Sequence, residues 1–190
     1  YRLAPEYPYP ADLEDVTALL QEIFDLLRSV NIQFKRQLRC VGDSAGATLA
    51  ATLAHRSFAG AVVDKMVLLY PCTDYTMKLP SVEKFGSGYL LEMAQMEWYS
   101  RQYLGEEIGA AEVSPLHMDM PDAFPQTLVI SAAYCPMRDD SYYYVKKLRE
   151  AGVDVLHHNY DDAIHAFLNL HKLMPEVCLR AYRDTALFLQ

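Results

Sequence analysis

The sequence predicts an α/β fold, a doubly wound and mostly parallel sheet, on three observations. Short β-rich runs alternate with helical patterns along most of its length. Hydrophobic residues make up 52% of the 190 positions, enough to fill a packed core. A serine flanked by glycines stands where one of the strands should pass directly into a helix.

Taken in order, Ala11–Val30 places Leu13, Val16, Leu20, Ile23 and Leu27 on one helical face, with Asp12 as its cap after Pro10. Gln37–Val41 is a short strand. The Ala-rich stretch from Ala45 to Phe58 reads as a helix buried on most sides. Lys65–Tyr70 is a strand stopped by Pro71, and Thr127–Ala133 one stopped at the Cys135-Pro136 corner. Asp139–Ala151 is helical, with Gly152 as its C-terminal stop. Val153–Tyr160 is a strand and Leu173–Leu189 a final helix. This alternation gives βαβ units with helices on both faces. One interval breaks the rhythm. Residues 74–125 are too many for an ordinary βα connection and rich in Met and aromatics, with one helical piece around Leu90–Tyr103. They are expected to form a cap-like excursion over the end of the sheet where ligands bind in open α/β folds, within a single domain of residues 1–190.

Composition excludes several functions. Acidic residues outnumber basic ones by 25 to 17, a net charge of −8, and no Lys/Arg run is present, so nucleic acid is not an expected partner. The longest uncharged apolar stretch, Ala45–Ala54, is about half of what a membrane-spanning helix needs. Cys40, Cys72, Cys135 and Cys178 are far apart and form neither a disulfide framework nor, with the histidines, a metal-ligand spacing. They read as buried free thiols in a reducing, cytoplasmic compartment, and no metal is expected. The chain opens without an initiator Met or a signal pattern.

The chemistry centres on Gly42-Asp43-Ser44-Ala45-Gly46, a G-x-S-x-G run between an expected strand and an expected helix. A turn sharp enough to lift a serine hydroxyl off the sheet edge forces the serine into strained dihedrals and requires small neighbours. It also leaves Ser44 at a helix N-terminus, where the Ala45 N–H could donate to a developing oxyanion. Such a serine needs a base, and in this fold the order along the chain is serine, acid, histidine. Of six histidines, His165 lies in the expected loop Asp161–Ala166 after the last strand, where the base belongs. His157 and His158 would point to opposite faces of their strand, and His55, His117 and His171 have no such placement; all five read as structural.

YRLAPEYPYPA, GDSAGA, SPL at Ser114–Leu116, YCPMRDD, LREAGV and IHAF at Ile164–Phe167 follow one another in an order that resembles the bacterial hormone-sensitive-lipase family of α/β-hydrolases over essentially the whole chain. The resemblance implies hydrolysis of carboxylic esters through a serine acyl-enzyme without a cofactor, Ser44 being the nucleophile and His165 the general base. It implies also that the family's HGGG oxyanion loop and first strands lie upstream of Tyr1, so that this chain resembles the C-terminal portion of such a hydrolase. Loss of one oxyanion donor lowers rates by about 10²–10³.

The acid segment departs from the family pattern. D-P-L-R-D-E becomes Cys135-Pro136-Met137-Arg138-Asp139-Asp140, which puts a thiol at the acid position. A neutral thiol accepts poorly and cannot support an imidazolium as a carboxylate does. Asp74, a few residues beyond a neighbouring strand, and Asp139 are candidate substitutes, set against a turn-forming role for the first and a helix-capping role for the second. Tyr89, Met93, Met96, Trp98, Tyr99 and Tyr103 would give the substrate pocket an apolar, adaptable wall, or simply pack the core. Two functions follow: an esterase acting on short to medium acyl esters, or a hydrolase-fold protein with incomplete machinery that binds a small molecule. Oligomeric state is not legible.

Overall fold

Four parallel strands in the order β1-β2-β3-β4 form the spine of the protein in a computed structural model that describes residues 1–190, the side chain of residue 59 excepted. The strands are β1 Leu38–Asp43, β2 Val63–Leu69, β3 Gln126–Tyr134 and β4 Val155–Ile164. The helices are α1 Ala11–Ser29, α2 Ala45–His55, α3 Pro80–Phe85, α4 Met93–Leu104, α5 Arg138–Glu150 and α6 Pro175–Leu189.

Alternation along the strands sorts the core into two halves. Met66, Leu68 and Val129 pack with α1, α2 and α5, while Val67, Leu69, Leu128, Ile130 and Tyr160 pack with α6 on the other face. Middle-strand residues are apolar on both sides because helices cover both. The Ala-rich α2 is buried from Ala47 to Ala54, as its composition requires, but stops at His55 and gives way to a 3₁₀ turn over Ser57–Gly60. α5 ends as expected: Gly152 takes a positive φ of 78°, and its N–H and that of Val153 close on the Arg149 and Leu148 carbonyls.

Three expectations need correction here. Asp12 does not cap α1. Pro10 occupies that position, and the Asp12 carboxylate accepts instead from its neighbour Leu13 N–H and from the Tyr103 hydroxyl. β4 runs four residues beyond Tyr160, because an irregularity in register between Ala132 and Tyr134 lets Tyr134 pair with Ile164. His165 therefore stands at the end of a strand, not inside a loop. And the stretch between β2 and β3 holds two helices, α3 as well as α4.

That stretch is tied down from beneath. Asp140, buried in the first turn of α5, accepts from the N–H groups of Thr73 and Asp74 at 2.7 and 2.9 Å. Ser114 of the SPL run accepts from Tyr75 N–H at 2.8 Å and donates to Ala110 O, and Leu116 N–H reaches Thr73 O. Lys147 of α5 donates to the carbonyls of Pro115, Leu116 and Met118. These bonds fix the stretch to the segment that follows β2 and to α5.

Candidate active site

β1 delivers the chain to Ser44, and α2 begins at the next residue. The turn between them costs Ser44 its usual backbone: φ is 49° and ψ −118°, a region non-glycine residues avoid at about 1–3 kcal/mol. The strain is held in place by the ladder itself, since Ser44 N–H donates to Leu69 O of β2 at 2.9 Å and Ser44 O accepts from Thr48 N–H of α2 at 3.0 Å. Gly42 makes the crossing possible. A Cβ there would lie 2.7 Å from Ala47 N and closer still to the Gly46 carbonyl. Gly46 differs from expectation, for a Cβ on it meets no described atom within 4 Å. Gly42→Ala should therefore lose about 1–3 kcal/mol, a fall of several degrees in Tm by calorimetry, with Gly46→Ala far milder.

Ser44 Oγ lies 2.9 Å from His165 Nε2, although 121 positions separate them in the chain. His165 is 5% exposed, and burial pushes its pKa down to about 4, so the ring is neutral and able to accept a proton at neutral pH. The edge of the ring meets Tyr70, whose centroid is 5.0 Å away. Tyr70 has φ 39°, is fully buried, and donates its hydroxyl to Asp43, the neighbour of Ser44, at 3.3 Å. From the sequence Tyr70 reads only as the last residue of a strand; its place between an apolar run and Pro71, one strand from the elbow, is the available signal.

Behind the ring stands Cys135. Its Sγ is 3.2 Å from His165 Nδ1 and accepts from Met137 N–H at 3.3 Å. Fully buried, with Asp140 adding to the effect, the thiol is pushed up to about 12 and keeps its proton at neutral pH. The two aspartates considered as substitutes are elsewhere. Asp74 Oδ1 accepts from Thr76 N–H at 2.9 Å and faces His117 Nε2 at 3.3 Å, forming the tight turn that follows β2. Asp139 binds Ser81 N–H and the Arg138 guanidinium, joining α5 to α3. Neither carboxylate is bonded to His165.

His157, His158 and His55, like His117, make their contacts away from Ser44. His157 Nε2 meets Ser131 Oγ on one face of β4, and His158 Nδ1 meets Asp184 of α6 on the other. His55 lies between Asp119 O and the Tyr144 hydroxyl. Among the described residues no group of three His, Cys, Asp or Glu is placed to hold a metal.

A cavity of about 410 Å³ opens above Ser44 and His165. The excursion supplies one wall with Tyr75, Met96, Trp98, Tyr99 and Tyr103, and Ala45 at the start of α2 lies at its floor. Tyr89 and Met93 are not part of that wall. Tyr89 stacks on Tyr134 at 5.9 Å and meets Phe85 edge-on, on the outer side of α3, and Met93 packs over Gly86. The N-terminal segment, which sequence reasoning left out of the site, closes the opposite side with Leu3, Tyr9 and Asp12.

A buried imidazole bonded to a strained serine, under an apolar cavity and at a helix N-terminus, is equipped for acyl transfer. Known proteins share this sequence and fold. Residues 1–169 match the family model described as alpha/beta hydrolase fold. Esterase LipI of Mycobacterium tuberculosis is 33% identical over 180 residues, 92% of this chain and 56% of that protein. Ethyl acetate hydrolase of Pseudomonas putida is 31% identical, over 93% of this chain and 57% of its own length. Among solved structures, an α/β-hydrolase enzyme from the metagenome of Lake Arreo superimposes with a TM-score of 0.88 at 33% identity, over 98% of this chain and 59% of that one. A hyperthermophilic esterase from Pyrobaculum calidifontis gives 0.86 at 30%, over 98% and 62%. The chain thus spans little more than half the length of the curated relatives it matches. Fold, motif order and matched span together make it a member of the α/β-hydrolase fold family, in the hormone-sensitive-lipase-like branch.

Proposed function

We propose that the protein hydrolyses carboxylic esters of short to medium acyl chains through an acyl-enzyme on Ser44. The observation that carries this is the 2.9 Å contact between Ser44 Oγ and the neutral, buried His165. His165 Nε2 takes the Ser44 proton as Oγ attacks the ester carbonyl, and the Ala45 N–H at the head of α2 donates to the resulting oxyanion. The imidazolium then protonates the leaving alcohol, and water releases the acid by the same two steps in reverse order of partners. Cys135 takes the position behind His165 that an acid would fill. Relatives named as esterases and an ethyl acetate hydrolase support this substrate class.

The competing reading is a protein that binds an ester-like small molecule without turning it over; the thiol of Cys135 at the acid position speaks for it, as does the HGGG segment that the family resemblance puts outside these residues, and the relatives' names favour the enzyme. Among the described residues no helix is long and apolar enough to cross a membrane, and the four free cysteines support work in a reducing, cytoplasmic setting. The acidic balance argues against nucleic acid as a partner.

A fluorophosphonate probe tests the assignment. It should modify one serine, Ser44, as read by peptide mass spectrometry. Labelling that persists in Ser44→Ala would overturn it, and a protein that takes no label would favour the binding reading.

A further inference from the structure

We propose that the cavity takes esters whose far end carries an organic ammonium group, held by Asp12 and the aromatic rings around it. The inference deepens the esterase reading and rests on it.

The starting point is a charge in an otherwise apolar cavity. Asp12 lines the cavity while being only 8% exposed. Its carboxylate is met by two neutral donors, Leu13 N–H at 2.9 Å and the Tyr103 hydroxyl at 2.7 Å. A carboxylate has about four acceptor positions, so this one retains unused capacity. Burying an ionised group with neutral partners alone is costly, and a cation brought by a ligand would offset that cost.

The other charged side chain at the cavity is Arg2, which would repel an ammonium were it free. It is not free. Its guanidinium is shared between Asp15 and Glu14, at 2.8 and 3.0 Å, and also donates to the Ala11 carbonyl. His165 contributes no positive charge at neutral pH, because burial holds it down at about 4. The cavity's charge is therefore that of Asp12.

The rings around Asp12 define what kind of cation fits. Tyr103, bonded to Asp12, has the Tyr9 ring 5.7 Å away on one side and Tyr75 at 5.9 Å on the other. Trp98 and Tyr99 stand half-exposed, with their centroids 5.3 Å apart, on the same helix. Aromatic faces around a carboxylate attract alkylated ammonium groups, whose methyls satisfy the apolar walls while the charge meets the rings and the carboxylate. Metal ions are a poor match, since they require several oxygen ligands and Asp12 alone provides such oxygens here. Tyr9 already meets one cation, Arg56, which lies 5.8 Å from the centre of its ring, donates to its hydroxyl and does not line the cavity. The chain's net charge of −8 adds attraction at longer range.

The single tryptophan of the chain is Trp98, so binding is readable without turnover. Choline and its neutral isostere 3,3-dimethylbutan-1-ol are titrated against Trp98 fluorescence. Choline should bind about tenfold more tightly, and Asp12→Asn, which still accepts from Tyr103, should erase the preference while leaving the neutral alcohol's affinity as it was. Acetylcholine should likewise exceed 3,3-dimethylbutyl acetate in kcat/KM. Equal affinities of choline and the alcohol for the unaltered protein would overturn the inference, and that comparison stands even if Asp12→Asn fails to fold. A choline preference with neither ester hydrolysed would overturn the esterase reading instead.

Discussion

Cys135→Asp should raise kcat on a short-chain aryl ester by up to about 10⁴, with little change in KM. Two defects of the thiol are removed together. A cysteine that keeps its proton, as one pushed up to about 12 does, can donate S–H to His165 Nδ1. A ring that accepts that bond carries its proton on Nε2 and is idle, so only the remaining fraction of rings can take the Ser44 proton as proposed. In a serine protease, a neutral side chain that favours this wrong tautomer lowers kcat by about 10⁴. A carboxylate only accepts, so it fixes the proton on Nδ1. It also stabilises the imidazolium, a charge that exists only after proton transfer, which is why the gain falls in kcat. The Met137 N–H that now points at Sγ is placed to steady the new oxygen. Asp74→Asn should leave the rate unchanged, because the Asp74 carboxylate is engaged by Thr76 and His117. Steady-state kinetics of both variants beside the parent protein check this. A fall in kcat on Asp74→Asn, or no gain on Cys135→Asp, would contradict it.

The same variant should move the pH profile. In the parent protein burial holds His165 near pKa 4, so the base form persists down to that pH and the acid limb of kcat/KM should lie there. A carboxylate beside Nδ1 favours the charged ring and raises its pKa, shifting the acid limb upward by about two units or more. Stability must follow with a definite sign. His165 titrates at 6.5 when unfolded and about 4 when folded, so between those values the unfolded state binds the extra proton. Stability is full above 6.5 and is lost as pH falls through the window, by about 3 kcal/mol for this one group. Burial with the nearby Arg149 and His158 puts His157 in the same position, also at about 4. Thermal melts between pH 7 and 4.5 should show a shallower fall for Cys135→Asp. An acid limb that stays where it was would sink the account.

Much of this could be read beforehand, for reasons that lie in particular residues. α1 declared itself through Leu13 and its neighbours at helical spacing, and the middle strands through apolar runs that only helices on both faces could cover. Ser44, His165 and Cys135 were legible because a strand end fixes where a side chain projects, and each follows or closes a strand. The failures came where tertiary contacts set the outcome. Asp74 looked able to reach His165 from a neighbouring strand, yet an aspartate two residues before a free N–H closes its own turn first. The six-residue α3 carries too short a pattern to show a period, and Phe85 within it drew Tyr89 outward from the cavity. Asp161 and Asp162 masked the end of β4, because an outermost strand tolerates exposed polar residues that a central one does not.

The Ser44 N–H bond to Leu69 O has a consequence in time. Because the amide of the reacting residue is itself a rung between β1 and β2, it can exchange with solvent only when those two strands part. The elbow should therefore share the slow opening of the sheet, among the last amides to exchange deuterium. α4 hangs from the sheet by loops and side-chain ties, and its half-exposed Trp98 and Tyr99 mark it as the faster element. On the proposed function, a substrate would then meet a wall that breathes often over a Ser44 that almost never lets go of the sheet, so entry and chemistry run on separate clocks.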